Sequence, residues 1–437
     1  MIQLSDRWTP LREHSEQRRL WESDARFRVV PAGRRSGKTE LAKRFAVRSA
    51  LSATHPDAWI VCAAPTRDQA KRIYWPDLKR LVPKTLRAAP PMESELSIRL
   101  INGATISVVG MDKPDRIEGR PLDGIVLDEF GNMKPNVWSE NVRPALSTPD
   151  RHGWAWLIGV PEGRNHYYEI ATTAPTVDDW DLFSWPSSDI LDAGEIESAK
   201  RELDELTFQQ EYEASFLNFA GRAYYAFDRE VHAVDALPYD PRRPLILCFD
   251  FNVEPGIAAV MQEVEHSKHG WCSGVIGEVW IPRNSNTPAV CRRIVQDWGQ
   301  HAGDVIVFGD ATGGARGSAK VSGSDWDLIK AELRPVFGER LKFRVPRANP
   351  RERARVNAMN SRLCTADGSI HMLVDPKRAP HVVEDLEGVT LLEGGSGEID
   401  KKHSPKLTHL TDAIGYYLIR THPPRAGVPV ATVTQIS

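Results

Sequence analysis

Residues 29–39 read Val29-Val30-Pro31-Ala32-Gly33-Arg34-Arg35-Ser36-Gly37-Lys38-Thr39, an apolar run that enters a glycine-containing loop and leaves it on an amphipathic helix. Strand, loop and helix in this order make a P-loop, with Ala32 where the first glycine usually stands. Successive loop N–H groups and the helix N-terminus face phosphates, Lys38 reaches the β and γ oxygens, and Thr39 puts a hydroxyl on Mg²⁺. Gly33, Arg34, Arg35, Ser36 and Gly37 form the cradle itself. The spacing predicts an ATP site with Mg²⁺ at the end of a strand. The plainer alternative is a basic turn capped by Gly37, and the flanking strand and helix weigh against it.

Outward from the loop, short apolar runs at 27–31, 58–63, 104–109, 124–127 and 154–159 alternate with helical patterns at 37–50 and 67–81, as in a mostly parallel α/β sheet with crossover helices. One of these runs, Gly124-Ile125-Val126-Leu127-Asp128-Glu129, ends in two acids. Asp128 is placed to hold the metal through water and Glu129 to orient the attacking water, the acidic partner that a P-loop needs for hydrolysis. Developing phosphoryl charge also favours a cation. Arg34 and Arg35 in the loop, and Arg116 and Arg120 in DRIEGRPLDG, are the candidates, with Arg34 foremost because it lies inside the loop.

Residues 187–217 turn polar and helical and read as a helical bridge. A second strand series follows at 244–250, 256–264, 274–281, 304–309 and 341–345, with helices at 288–299, 325–333, 350–363 and 408–420. Two of its strands deliver an aspartate at their C-terminal end, Asp250 in LILCFDFN and Asp310 in VIVFGD, and Asp412 begins the helix in THLTDAIGYY beside Gly415. Acids on apolar strands are costly unless paired. Three of them converging on two divalent ions, Mg²⁺ or Mn²⁺, would suit cleavage of a phosphodiester. Turn caps and a helix-terminus preference are the alternatives for each acid taken alone. Residues 340–355 carry seven cations, Arg340, Lys342, Arg344, Arg347, Arg351, Arg353 and Arg355, against Glu352, a possible track for a nucleic-acid backbone.

The whole chain has 437 residues, 41% hydrophobic and 26% charged, which suits two or three globular domains rather than a disordered or collagenous chain. Lys+Arg 56 against Asp+Glu 59 leaves a net charge of −3, so affinity for a polyanion must come from local patches. Five cysteines at 62, 248, 272, 291 and 364 follow no metal-ligand spacing and read as buried free thiols in a reducing compartment. No apolar run is long enough to span a bilayer and the N-terminus lacks a signal-peptide core, so neither secretion nor membrane insertion is expected. The expected division is a P-loop ATPase domain over 1–186, a helical linker over 187–225, a nuclease domain over 226–420 and a flexible tail over 421–437.

The motif order, together with AGRRSGKT, GIVLDEF, GVPEGRNHYYEI, LTFQQEYEASFLNFAGRAYYAFD, CFDFN, FGDATG and HLTDAIGYYL, resembles the large terminase subunit of tailed bacteriophages over residues 10–420. The resemblance implies an ASCE-type ATPase domain followed by a ribonuclease H-like nuclease domain. It implies ATP-driven translocation of double-stranded DNA into a procapsid, with metal-dependent cutting of concatemeric DNA to make genome ends. Lys38, Thr39, Asp128 and Glu129 then serve ATP hydrolysis, and Asp250, Asp310 and Asp412 the nuclease metals. Gln17 is similar to the family's adenine-reading glutamine. The resemblance also implies a ring on the portal protein, a small terminase subunit as partner, and a place in the host cytoplasm during virion assembly. One position departs from the pattern: the family carries Ser or Thr before the proline of its coupling turn, and here Val160 has no hydroxyl to donate. Two rival readings are a host-type DNA helicase or repair ATPase/nuclease, and an assembly adaptor that docks on a portal with an inactive nuclease.

Overall fold

The computed structural model describes residues 13–217, 221–251, 254–311, 324–392, 398–401 and 407–424. They fall into two compact units that alternate along the chain: Met1–Ile196 with Gln209–Asn218, and Glu197–Phe208 with Phe219–Ser437.

The first unit is built on seven strands: β1 (Phe27–Pro31), β2 (Trp59–Ala64), β3 (Ser97–Arg99), β4 (Thr105–Gly110), β5 (Gly124–Asp128), β6 (Trp154–Gly159) and β7 (Trp180–Leu182). Their spatial order is β3-β4-β2-β5-β6-β1-β7, and every pairing is parallel except β3 with β4. β1, β2 and β5 are buried along their whole length, so both faces need apolar cover. Helices α1 (Ser15–Glu22), α2 (Lys38–Leu51) and α3 (Arg67–Leu81) supply it on one face with Phe45, Tyr74 and Trp75. On the other, α4 (His166–Thr173) packs with Trp138 and Tyr167 against Phe27 and Leu157. β6 stands between the strand entering the loop and the strand ending in Asp128, as an ASCE-type sheet requires. The five strands expected from the sequence are present. β3 and β7, three residues each at or near the edges, are too short to show a period.

The helical stretch expected over 187–217 contains two helices, α5 (Ala193–Glu202) and α6 (Glu205–Tyr212). Asp204 breaks the run because its Oδ1 accepts the backbone N–H of Thr207 at 3.1 Å, which caps the second helix.

The second unit has a six-stranded sheet in the order β13-β12-β9-β10-β11-β14 and a two-stranded ribbon of β8 (Gly221–Arg222) with β15 (Thr390–Leu391). β9 (Leu245–Asp250), β10 (Gly256–His266) and β11 (Gly270–Ile281) form an antiparallel meander. β12 (Val305–Gly309) and β13 (Leu341–Phe343) then add in parallel beside β9, which is the ribonuclease H-like arrangement. Helices α7 (Thr287–Trp298), α8 (Asp325–Phe337), α9 (Glu352–Leu363) and α11 (His409–Thr421) match the expected positions. β14 (Met372–Val374) and α10 (Pro380–Gly388) are additions. α11 extends through Thr421, the first residue of the expected tail, and residues 425–437 lie outside the described residues.

Side-chain alternation decides what each sheet face sees. Ile246 and Cys248 of β9 and Phe308 of β12 share a core with Leu410, Ile414 and Tyr417 of α11. Leu245, Leu247 and Phe249 face the other core. By the same parity Asp250 and Asp310, two residues on from Cys248 and Phe308, lie on the α11 side of the sheet.

Candidate functional sites

In the first unit the loop between β1 and α2 is held from several sides. Gly33 N–H donates to the Trp185 carbonyl at 2.9 Å and Arg34 N–H to the Glu211 carbonyl at 2.6 Å. The Ser36 carbonyl accepts both the Trp185 indole N–H at 3.0 Å and the Gln17 amide at 2.8 Å. Gly37 adopts φ +86°, and a Cβ there would lie 2.9 Å from the Gln17 amide nitrogen, which explains the glycine. Lys38 is 6% exposed, and its ammonium donates to the Gly33 carbonyl at 3.1 Å, beneath the loop. Burial lowers its proton affinity. The Ser36 hydroxyl is buried and has no hydrogen-bond partner among the described residues. The loop takes one of the two N–H donors of the Gln17 amide.

The loop meets the end of β5. Thr39 donates its hydroxyl to Asp128 Oδ2 at 3.0 Å, and Tyr74 of α3 donates to the same oxygen at 2.9 Å. Alternation explains this: Asp128 points to the same face as Val126, where α2 and α3 pack. Burial raises the Asp128 carboxyl. Glu129 sits in the left-handed region at φ +53°, and burial with the neighbouring Asp128 pushes its carboxyl up to about 7. Arg34 pairs with Glu211 at 2.9 Å in this structure and also lies within electrostatic reach of Glu129. Arg35 is exposed at φ +55°. Of the other two arginines, Arg120 lies over the Trp59 ring and donates to the Asp57 carbonyl, whereas Arg116 is exposed.

In the second unit Asp250 and Asp310 end or follow adjacent parallel strands, with Phe249 opposite Gly309 in register. Asp412, in the first turn of α11, faces them closely enough that all three acids act electrostatically on Tyr416. His409, one turn earlier on that helix, places Nδ1 3.4 Å from Asp250 Oδ2, and this partner raises its pKa. Asn349 donates to Asp310 Oδ1 at 2.9 Å. Asp412 is nearly buried and held by two cations, Arg355 at 3.0 Å and Lys401 at 3.3 Å. Burial raises its carboxyl while those cations lower it. Among the described residues no three His, Cys, Asp or Glu side chains close into a metal-binding group, so the acids converge without forming one.

Arg355 corrects one expectation. It is 7% exposed and paired with Asp412, so it cannot belong to a solvent-facing DNA track. Gly415 makes room for it, since a Cβ there would lie 3.1 Å from the Arg355 Cβ. Arg340 donates to the His301 and Gly303 carbonyls, and Lys342 pairs with Asp304 at 2.6 Å. Arg344, Arg347 and Arg351 remain exposed and flank Asn349, the partner of Asp310. Sequence reading missed Tyr74, Glu211, Asn349 and Lys401, which join their partners only through the fold. His409 had a legible signal, the three-residue spacing to Asp412 that puts both on one helix face. All five cysteines are free, four of them buried, and among the described residues no helix is long and apolar enough to cross a membrane.

Residues 30–231 match the family model for the terminase large subunit, T4likevirus-type, N-terminal. The chain is 30% identical over 277 residues to the terminase large subunit of Thermus virus P23-45, covering 54% of this chain and 55% of that protein. Over these stretches the chain is similar to terminase large subunits. It is also 27% identical over 221 residues to the large subunit of Escherichia phage T5, covering 48% and 49% of the two chains. The chain thus spans about half the length of the curated relatives it matches. The large terminase of the thermophilic bacteriophage D6E, solved in complex with ADP, superposes with a TM-score of 0.61 at 15% identity, covering 96% of this chain and 99% of that one. At that identity the likeness concerns the fold, and it extends through both units.

Proposed function

We propose that this chain is the motor and nuclease of a phage DNA-packaging apparatus. It drives double-stranded DNA into a procapsid by ATP hydrolysis and cuts concatemeric DNA to make genome ends. The observation that carries the reading is the 3.0 Å bond from Thr39 to Asp128, which joins the P-loop to an acidic strand end with Lys38 buried beneath the loop. The D6E protein was solved with ADP and with ATP-gamma-S, which supports nucleotide binding by this fold.

On ATP entry the Lys38 ammonium exchanges the Gly33 carbonyl for the β- and γ-phosphate oxygens. The Thr39 hydroxyl and Asp128 are oxygen donors that would suit Mg²⁺. When bound, that ion neutralises charge on the phosphate oxygens. Glu129 takes a proton from the attacking water as the bond from the γ-phosphorus to ADP breaks. A carboxyl near 7 is matched to that task. Arg34, once released from Glu211, is the cation nearest the γ-phosphate. Arg116 lines an open cavity of about 590 Å³ with Arg67 and Arg120 and is the freer candidate to act on a neighbouring subunit's nucleotide.

In the second unit Asp250, Asp310 and Asp412 supply only oxygen donors, as two Mg²⁺ or Mn²⁺ would need. Paired ions, when bound, activate water and stabilise the leaving oxygen. Arg355 and Lys401 hold the Asp412 carboxylate in place, and His409 beside Asp250 is a proton donor within reach of the cut. Arg344, Arg347 and Arg351 contact backbone phosphates leading to Asp310. The portal protein, a small terminase subunit and further copies of this chain in a ring are the partners this reading requires.

A second reading, a packaging component whose rear acids do no chemistry, has one observation in its favour: Asp412 is tied to two cations. Plasmid cleavage with Mn²⁺ separates the two. The nuclease reading expects cleavage that Asp250→Ala abolishes while DNA-stimulated ATP hydrolysis persists, and hydrolysis that Lys38→Ala abolishes. Cleavage by Asp250→Ala at the wild-type rate would sink it.

A further inference from the structure

The turn that carries Glu129 is braced from the segment after β6. Glu129 has φ +53°, a conformation a glutamate does not hold unaided. Two side chains from 165–166 reach the carbonyls that follow it. Asn165 Nδ2 donates to the Gly131 carbonyl at 3.0 Å, and His166 Nε2 lies 3.1 Å from the Phe130 carbonyl. The same Asn165 caps α4: its Oδ1 accepts the backbone N–H of Tyr167 at 2.9 Å and of Tyr168 at 3.4 Å.

We propose that Asn165 is a positioning residue for ATP hydrolysis, its amide N–H fixing the 129–131 turn and so the direction of the Glu129 carboxylate. The proposal rests on the P-loop reading above. It gives this chain a polar link between the hydrolytic turn and the segment after β6 although Val160 offers no hydroxyl there. One side chain ties the turn to the first turn of α4, so displacement of either is felt by the other. The two halves of the Asn165 amide do separate work, the oxygen capping the helix and the nitrogen holding the turn.

That division supplies the test. Asn165→Asp and Asn165→Ser both keep an oxygen for the cap, where Asp and Ser serve as well as Asn, and both remove the N–H donor. DNA-stimulated ATP hydrolysis by the full chain is measured beside melting temperature and the affinity for a fluorescent ATP analogue, with Glu129→Gln as reference. The expected result is a fall in kcat on the order of 10 to 100-fold in both variants, the range for a misplaced catalytic group, with KM and analogue affinity within about twofold and melting unchanged. Wild-type kcat in both variants overturns the inference. So does a joint loss of melting temperature and nucleotide affinity, which would make Asn165 a helix cap and nothing more. A wild-type chain that hydrolyses no ATP overturns the P-loop reading itself, a result distinct from either.

Discussion

Glu129 concentrates the electrostatics of the first unit in one side chain. Burial and Asp128 push its carboxyl to about 7, whereas Lys38 pulls it down. In the proposed role of base it works only when ionised, so kcat/KM for ATP should climb as pH rises through about 7 and level off above. Glu129→Gln should flatten that limb and lower the rate by about 100-fold or more, checked by initial rates between pH 5.5 and 9. Gly33 sets a second residue-level limit. A Cβ there would lie 2.4 Å from the Ser187 hydroxyl, 2.5 Å from the Ser187 nitrogen and 2.7 Å from the Tyr212 carbonyl. Two of those atoms are backbone and cannot swing aside. Gly33→Ala should therefore cost about 1–3 kcal/mol and displace the loop, seen as weaker ATP binding and a lower melting temperature. The placement of Lys38, Thr39 and Asp128 was legible because residue types and spacing encode strand, loop and strand end. Tyr74 and Glu211 were not, since nothing local marks a tyrosine in an amphipathic helix or a glutamate in a polar one as the partner of a distant site.

The helix that carries Asp412 shows what an element needs beyond its own sequence. Thr408, before α11, has φ +94° and makes no capping bond with its side chain. Asp385 of α10 does that work from outside, its Oδ2 accepting the N–H of Leu410 at 3.1 Å, the N–H of Thr411 at 3.2 Å and the Thr411 hydroxyl at 3.3 Å. At the other end Tyr417 donates to Glu263 of β10 at 2.7 Å. Burial would raise the Glu263 carboxyl, but His422, Ser273, Arg362 and Tyr417 together hold it down at about 2. A carboxyl lowered from 4.5 to about 2 on folding adds stability above pH 4.5 and loses it as pH falls through that range toward 2. A third of the side chain meets solvent, so screening leaves about 1–2 kcal/mol. Glu263→Gln should lower the urea midpoint of the second unit at pH 7, and the gap to wild type should narrow between pH 4.5 and 2.5. The strands and most helices were legible from period, and Asp250 and Asp310 from their places at strand ends. The pairing directions of the meander, the three-residue β14 and the Asp385 cap were not, because each depends on contacts far apart in sequence.

At the scale of the whole chain, the units do not follow one another in sequence. Gln209–Asn218 returns to the first unit after Glu197–Phe208 has joined the second. Composition gives no hint of this, since 187–217 reads as one polar helical stretch. The returning segment holds the P-loop, the proposed nucleotide site: the Glu211 carboxylate pairs with Arg34 and its carbonyl accepts the Arg34 N–H. Gln210 Oε1 accepts the Gly163 N–H at 3.3 Å, and Phe216 meets the rings of Tyr167 and Tyr168 at 5.6 and 5.4 Å. Tyr212 is 3% exposed, so removing it opens the core beside Gly33. A fragment ending at Ile196 should accordingly be less stable than one ending at Leu217. Loss of one buried aromatic costs about 3 kcal/mol or more, and in a unit of this size that is on the order of 10 °C in melting temperature. Nucleotide should stabilise the longer fragment and leave the shorter one nearly unmoved, because only the longer retains the Glu211 carbonyl that holds the loop backbone at Arg34. Equal melting temperatures and equal nucleotide shifts for the two fragments would mean that the P-loop is held by the first 196 residues alone.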